Sequence, residues 1–222
     1  MPKKRNFSCE LALLLGLACS CICISLVAQS ALGITTLAVI PMALSSIHPA
    51  ISFGTWNMIF QVMLLIALMI VQRKLTPSYL LSFGASLALG RAIDGFDVLL
   101  QPLPMGMGFR ILYFVIGFFG ICVGISFFLR CRLPVLPFDE FTRGLVEQFH
   151  WPVKYVKTTF DVLNVVVGVA LSLIVLGRID GIGIGTIISA VFTGYFVNRI
   201  VIWLDRHCEF VFVIPALSRW GR

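Results

Sequence analysis

The chain has 222 residues, a formal net charge of +7 and a hydrophobic fraction of 59%, and only 12% of its residues are charged. Soluble domains are typically about a quarter charged, so this composition excludes a water-soluble globular fold and indicates that the bilayer is the solvent. The basic residues lie at the ends of apolar segments and form no patch interleaved with aromatic residues, so nucleic acid is not an expected partner.

Six apolar segments are each long enough to cross a hydrocarbon core of ~30 Å as an α-helix. The stretch from Leu11 to Gln72 contains no Asp, Glu, Lys or Arg and is too long for one span, so it must hold two. We predict an all-α, polytopic transmembrane helical bundle that forms a single domain over residues 1–222. The predicted spans are about 11–32, 53–72, 78–99, 110–130, 158–177 and 182–204.

The distribution of Lys and Arg predicts the orientation of these spans. With the N-terminus inside, 13 basic residues fall on the inner side and two, Arg110 and Arg178, fall on the outer side. Cytoplasmic loops of membrane proteins carry the excess of Lys and Arg. We therefore predict that both the N-terminus and the C-terminus are inside.

A shift of 104 residues aligns the two halves of the chain without a gap. Identity is low, and the layout of hydropathy and of polar positions carries the comparison. Each half contains three spans, and an odd number reverses the second half, which predicts inverted-topology repeats as in many transporters. The repeats cover about 9–104 and 109–207. Among the aligned pairs are Gly16 and Gly120, Thr55 and Thr159, Ser82 and Thr186, Gly90 and Gly194, and Asp94 and Asn198.

Each half also contains an unusual connector. Residues 33–52 are apolar and uncharged but contain Pro41, Pro49 and His48, which predicts a short helix that dips into the membrane. In residues 134–157, Phe138 and Phe141 begin an apolar series at helical spacing, which predicts an amphipathic helix at the cytoplasmic face. The cytoplasmic tail, 208–222, is predicted to resemble it after Glu209.

Several motifs resemble the YczE/YyaS/YitT group of bacterial membrane proteins. They are Pro41-Met-Ala-Leu-Ser-Ser46, Phe53-Gly-Thr-Trp-Asn57, Gly90-Arg-Ala-Ile-Asp94, Pro137-Phe-Asp139 and Gly181-Ile-Gly-Ile-Gly-Thr186. The resemblance covers nearly the whole chain. It implies a multi-pass protein of the bacterial cytoplasmic (inner) membrane and a role in transport, and it transfers neither a substrate nor a catalytic residue.

Charged side chains inside the third span are the first candidates for a site, because intramembrane charge is costly and usually functional. Arg91, Asp94 and Asp97 are spaced by three residues and therefore lie near one helical face. Arg91 could hold a carboxylate or phosphate, and Asp94 could bind a cation, an amine or a proton. The alternative is a structural ion pair between Arg91 and Asp94.

Polar residues on the second and fifth spans are the next candidates. Asn57 and Gln61 are four residues apart, and Asp161 and Asn164 occupy the repeat-related place, so together they could complete a polar cavity at the repeat interface. The alternative is hydrogen bonding between helices without a ligand. Thr186, at the glycine-rich entry to the last span, is a candidate because exposed N–H groups there could bind an anion; close helix packing is the alternative.

The leading functional hypothesis is a small-solute transporter or permease with its site between the repeats. The alternatives are a substrate-binding membrane subunit of a vitamin-type (energy-coupling factor) importer and a non-transporting accessory factor. Six spans, a length near 200 residues, a basic net charge and small residues on the first helix all favour the importer subunit. The expected partners are the lipid bilayer, an unidentified solute, and either a second copy or an ATPase module. No catalytic motif is found, the seven cysteines do not converge on a metal, and no cofactor is expected.

Overall fold

The computed structural model describes residues 5–73, 78–131, 136–151, 153–178 and 181–211. Within these ranges the chain forms eight α-helices and two short strands. The strands are β1 (Arg5–Ser8) and β2 (Cys208–Val211). The helices are α1 (Cys9–Ser30), α2 (Val39–Ile47), α3 (Phe53–Gln72), α4 (Ser78–Leu100), α5 (Met107–Cys131), α6 (Pro137–Phe149), α7 (Val153–Leu171) and α8 (Ile184–His207).

The predicted spans correspond to six of these helices. Among the described residues, five helical segments are long and apolar enough to cross a membrane: Cys9–Ser30, Phe53–Gln72, Met107–Cys131, Thr158–Leu176 and Ile184–His207. The fourth segment extends α7 by a π-helical turn, Ser172–Leu176. Helix α4 has 23 residues, the length of a span, but its three charged residues lower its hydropathy. The prediction of a multi-pass α-helical bundle is confirmed.

The two connectors form helices that are too short to span a bilayer. Helix α2 has nine residues, which at ~1.5 Å per residue is about 14 Å, and a 3₁₀ turn, Thr36–Ala38, precedes it. Helix α6 has 13 residues and begins with Pro137, a residue favoured in the first turn. The structure therefore places helices where the sequence predicts a dipping helix and an amphipathic helix.

Helices α1 and α5 pack against each other more extensively than any other pair and run antiparallel, because contacts join Gly16 to Phe128 and Cys23 to Gly120. A Cβ atom built on Gly120 would lie 2.2 Å from the Cys23 sulfur, so only glycine permits this approach. Gly16 and Gly120 are aligned by the 104-residue shift, and each faces the other's helix. The first helices of the two halves therefore run in opposite directions, as an inverted repeat requires.

Other helix pairs follow the same relation between halves, with the exception of α3–α4 and α7–α8. Helix α1 packs on α4, and its counterpart α5 packs on α8. Both contacts include a serine hydroxyl that donates to a backbone carbonyl: Ser25 to Ile93 (3.1 Å) and Ser126 to Val197 (3.4 Å). Ile93 and Val197 are themselves 104 residues apart. Each connector helix also packs on a helix of the other half: α2 packs on α7, and α6 packs on α3.

The chain termini meet on one side of the bundle. Strand β1 pairs in parallel with β2, with Arg5 opposite Cys208 and Ser8 opposite Val211. The Phe7 ring stacks on Phe127 near the end of α5. Both ends therefore share one side, which agrees with the prediction that both are inside. The structure has a strand at 208–211 in place of the predicted start of an amphipathic helix, and residues 212–222 lie outside the described residues.

Candidate functional site

Asp94 of α4 is bound by the N-terminus of α3. Its Oδ1 accepts a hydrogen bond from the Gly54 backbone N–H at 2.8 Å, and its Oδ2 accepts from the hydroxyls of Ser52 at 2.7 Å and Thr55 at 3.1 Å. Ser52 is also the N-cap of α3. A carboxylate at a helix N-terminus is stabilised both by free N–H groups and by the helix dipole. We name this group of four residues the Asp94 clasp.

The Asp94 clasp depends on a close approach of two glycines. A Cβ atom on Gly54 would lie 2.2 Å from the Gly90 carbonyl oxygen, and one on Gly90 would lie 2.8 Å from the Gly54 carbonyl oxygen. Helices α3 and α4 thus touch backbone to backbone at this point. This contact brings the Asp94 carboxylate within reach of the first turn of α3.

Arg91 does not form the structural ion pair with Asp94 that was the alternative to a functional role. The oxygens of Asp94 accept hydrogen bonds from α3, whereas the Arg91 side chain is exposed. Asp97 accepts a hydrogen bond from Gln29 of α1 at 3.2 Å. Offsets of three residues turn the side chains by about 60° each, so the three charges lie along one broad face of α4, but each has different surroundings.

Asn57 and Gln61 lie on the packed face of α3. They are 3% and 1% exposed. The Oε1 atom of Gln61 is buried and accepts no hydrogen bond among the described residues. An unsatisfied buried polar group costs about 1–3 kcal/mol, so this oxygen needs a partner that the polypeptide around it does not supply.

Asp161 and Asn164 occupy the corresponding face of α7. Asn164 is 2% exposed, and its Nδ2 donates to the Phe160 carbonyl at 2.8 Å. Its Oδ1 is buried and accepts no hydrogen bond within the described part of the chain. Asp161 is half-buried. Asn164, Gly168 and Ser172 are buried, as are Phe60, Leu64 and Leu68, their counterparts after the 104-residue shift, so this part of the two helices turns a similar face inward.

The helices that carry the two polar pairs have the same connector helices as neighbours. Helices α3 and α7 each pack on both α2 and α6, which lie between them. Apolar side chains fill part of this space, with Phe60 and Leu64 of α3 against Phe138 of α6 and with Phe160 of α7 beside them. The structure therefore places Asn57, Gln61, Asp161 and Asn164 on two helices that share α2 and α6 as neighbours, and it places Arg91 on a different helix, α4.

Thr186 has a different position from the four polar residues. Its Oγ1 accepts hydrogen bonds from the backbone N–H groups of Ile34 at 3.1 Å and Gly183 at 3.4 Å. The segment after α1 is also held by the Gly185 N–H, which donates to the Leu32 carbonyl at 2.9 Å. Gly33 adopts a φ of +126°, and a Cβ atom there would lie 2.7 Å from the Thr186 nitrogen. Thr186 therefore joins the segment after α1 to the start of α8.

Ser52 and Thr55 are the partners of Asp94 that the sequence analysis did not select. A serine directly before an apolar helix is a typical N-cap, and this signal marks Ser52. Nothing local indicates that a carboxylate some 40 residues later reaches the same cap, since that contact depends on how α3 and α4 pack.

The small residues on the first helix are occupied within the chain. Ala12 is fully buried and Ser20 is 4% exposed, and Gly16 packs against Phe128 of α5. This face is therefore not free to contact another subunit in this structure.

A family model described as a family of unknown function (DUF6198) matches residues 7–201. No curated protein and no solved structure matches the chain. The match covers both repeats, and the finer resemblance to the YczE/YyaS/YitT group stays a prediction.

Proposed function

The chain belongs to the DUF6198 family, whose function is unknown, and we propose from its own geometry that it is a small-solute transporter. The solute site lies in the four-helix region where α3 and α7 face the connectors α2 and α6. In this proposal the protein resides in the bacterial cytoplasmic membrane, as the sequence resemblance implies.

The observation that carries the proposal is the pair of buried amide oxygens without hydrogen bonds, Gln61 Oε1 and Asn164 Oδ1. They lie on repeat-related helices, one in each half of the chain. In transporters built from inverted repeats, the substrate site lies at the repeat interface near the bilayer midplane. A bound solute that satisfies both oxygens would remove a cost of about 1–3 kcal/mol at each.

The chemistry of these atoms restricts the class of solute. Both are acceptors, so the solute must present N–H or O–H donors or a cation. Asn57 and the half-buried Asp161 lie one helical turn away on the same faces, and Asp161 adds a carboxylate. Amines, amides and polyols fit this set better than anions do.

A ligand screen by thermal stability tests the proposal. Protein purified in detergent is melted with a panel of amines, amides, polyols and monovalent and divalent cations. A ligand present at 100 times its Kd stabilises by about 2.7 kcal/mol. Gln61→Leu and Asn164→Leu should each melt at or above the wild-type temperature without ligand, because an unsatisfied buried acceptor is removed, and should lose the response to ligand.

Gln72→Leu is the matched control on the same helix. The Gln72 amide donates to the Gly144 carbonyl at 3.3 Å and accepts from the Tyr79 hydroxyl. This variant should melt earlier than the wild type and keep the ligand response. A panel without any stabilising compound, or a response that survives in Gln61→Leu and Asn164→Leu, would contradict the site and favour the accessory-factor alternative.

The importer-subunit alternative has less support than the transporter. The small residues that favoured it, Ala12, Gly16 and Ser20, are covered by α5 and not by a partner. Copurification of the protein with an ATPase module from the native membrane would support the importer-subunit alternative.

A further inference from the structure

The two halves of the chain differ at one pair of helices. In the first half, α3 packs closely on α4, whereas the repeat-related helices α7 and α8 do not form a close-packed pair within the described residues. Every other major helix contact of the first half has a counterpart in the second. The difference therefore concerns the whole α7–α8 pair, including the end where α7 begins and α8 ends.

The face of α8 that would contact α7 is open. A Cβ atom on Gly194 would meet no atom within 4 Å, whereas its counterpart Gly90 is in backbone contact with Gly54. Asn198, the counterpart of Asp94, is exposed. The amide of Asn198 lies nine residues before the end of α8, which is about 14 Å along the helix. In a bilayer this depth is within the hydrocarbon, where an unsatisfied amide is costly.

The face of α7 that would meet it is open as well. Thr158 and Thr159, the counterparts of Gly54 and Thr55, are both exposed, and Val162 is 55% exposed. Each half therefore carries the parts of the same helix contact, a glycine and a polar side chain on one helix and hydroxyls on the other. These groups are in contact in the first half of the chain and are apart in the second half.

The predicted orientation assigns these two places to opposite sides of the membrane. Helix α3 begins and α4 ends at the outer side, whereas α7 begins and α8 ends at the cytoplasmic side. The Asp94 clasp thus closes the outer end of the bundle while the cytoplasmic end between α7 and α8 is open.

We propose that α7 and α8 form a cytoplasmic gate, which closes through Asn198 and the hydroxyls of Thr158 and Thr159 when the Asp94 clasp opens. The inference rests on the proposed transport function, because a transporter exposes its site to each side in turn. The Asn198 amide both donates and accepts, so it pairs with either hydroxyl. Thr158 has a Cβ where Gly54 has none, so the closed gate is wider than the Asp94 clasp.

Disulfide trapping in proteoliposomes tests the gate without any knowledge of the solute. Thr158→Cys combined with Gly194→Cys places thiols at the counterparts of Gly54 and Gly90 and leaves Asn198 and Thr159 intact. Under mild oxidation we expect a 158–194 disulfide, identified by peptide mass spectrometry so that native cysteines do not confuse the result. Adding Asp94→Asn, which weakens the outer clasp, should raise the yield at least threefold.

Two matched pairs calibrate the yield. Ser20→Cys with Gly124→Cys is the static pair, because a Cβ atom on Gly124 lies 3.5 Å from the Ser20 Cβ, within the ~3.5–4.5 Å that a disulfide requires. Ile174→Cys with Gly194→Cys is the distant pair, since residue 174 is 16 residues along α7 from residue 158, about 24 Å. The 158–194 pair and the distant pair, whose positions are exposed, must keep the wild-type melting temperature when reduced.

The gate is overturned if the 158–194 yield equals that of the distant pair while the static pair is trapped, or if Asp94→Asn leaves the yield unchanged. The result also separates the gate from the transport function. Trapping together with a failed ligand screen would retain the gate and reject the solute site, and ligand binding without trapping would do the reverse.

Discussion

Gly54→Ala tests whether α3 and α4 cross where the structure places them. The added Cβ would lie 2.2 Å from the Gly90 carbonyl oxygen, and ordinary contacts begin near 3.4 Å, so the helices must separate by about 1.2 Å. Overpacking of this kind typically costs about 1–3 kcal/mol. The same movement lengthens the 2.8 Å bond from the Gly54 N–H to Asp94, which adds to the loss.

Gly84→Ala and Gly95→Ala are the controls on α4. A Cβ atom at either position meets no atom within 4 Å, and alanine is favoured over glycine in a helix by up to about 1 kcal/mol. These variants should therefore be neutral or more stable than the wild type. The expected difference between Gly54→Ala and either control is about 2–4 kcal/mol.

Thermal unfolding in one detergent, followed by the loss of monodisperse protein on size-exclusion chromatography, measures this difference. One kcal/mol corresponds to about 2–4 °C for a soluble protein of this size, so Gly54→Ala should melt several degrees below Gly84→Ala. Equal melting temperatures for Gly54→Ala and the two controls would show that the backbones of α3 and α4 do not touch at Gly54 and Gly90.

Three further predictions follow from contacts described above. Asp94→Ala should speed amide hydrogen exchange at Gly54 by about 10-fold or more, because the N–H loses a charge-assisted bond worth about 1.5–3 kcal/mol; unchanged exchange would contradict the Asp94 clasp. Thr186→Val should destabilise by about 1–3 kcal/mol in thermal unfolding, because the Gly183 N–H loses its side-chain acceptor and the Ile34 N–H keeps only the Gly181 carbonyl. Thr186→Ser should stay close to the wild type, and equal melting of the two variants would exclude a role for the hydroxyl. Reporter fusions before Arg5 and after Val211 should both be active in the cytoplasm, and opposite locations would contradict the pairing of β1 with β2.

The extent of the helices could be predicted because hydropathy and the residues that cap or end helices are local properties of the sequence. The predicted span 53–72 coincides with α3, where Ser52 caps the first turn and the backbone turns left-handed at Arg73. Other ends differ by a few residues, as where α5 begins at Met107 and not at residue 110. Fraying at helix ends makes such differences common.

The partners of the candidate residues could not be predicted, because they depend on how helices distant in sequence pack. The spacing of three residues between Arg91 and Asp94 suggests a local ion pair. In the structure the Asp94 carboxylate instead accepts hydrogen bonds from three donors at the start of α3. The four amide and carboxylate positions on α3 and α7 are a different case. The sequence placed them on repeat-related helices, and in the structure both helices pack on the same two connectors.

The pairing of β1 with β2 has a consequence for biosynthesis. Residues 5–8 and 208–211 lie about 200 residues apart in the chain, and synthesis at about 5–20 residues per second separates them by about 10–40 s. The contacts of α2 with α7 and of α6 with α3 impose a similar delay, since each connector needs a helix from the other half. The first three spans must therefore wait in the membrane with side chains such as Phe60 and Leu64 not yet covered by Phe138 of α6, which makes this interval the stage at which a chaperone or insertase would be needed.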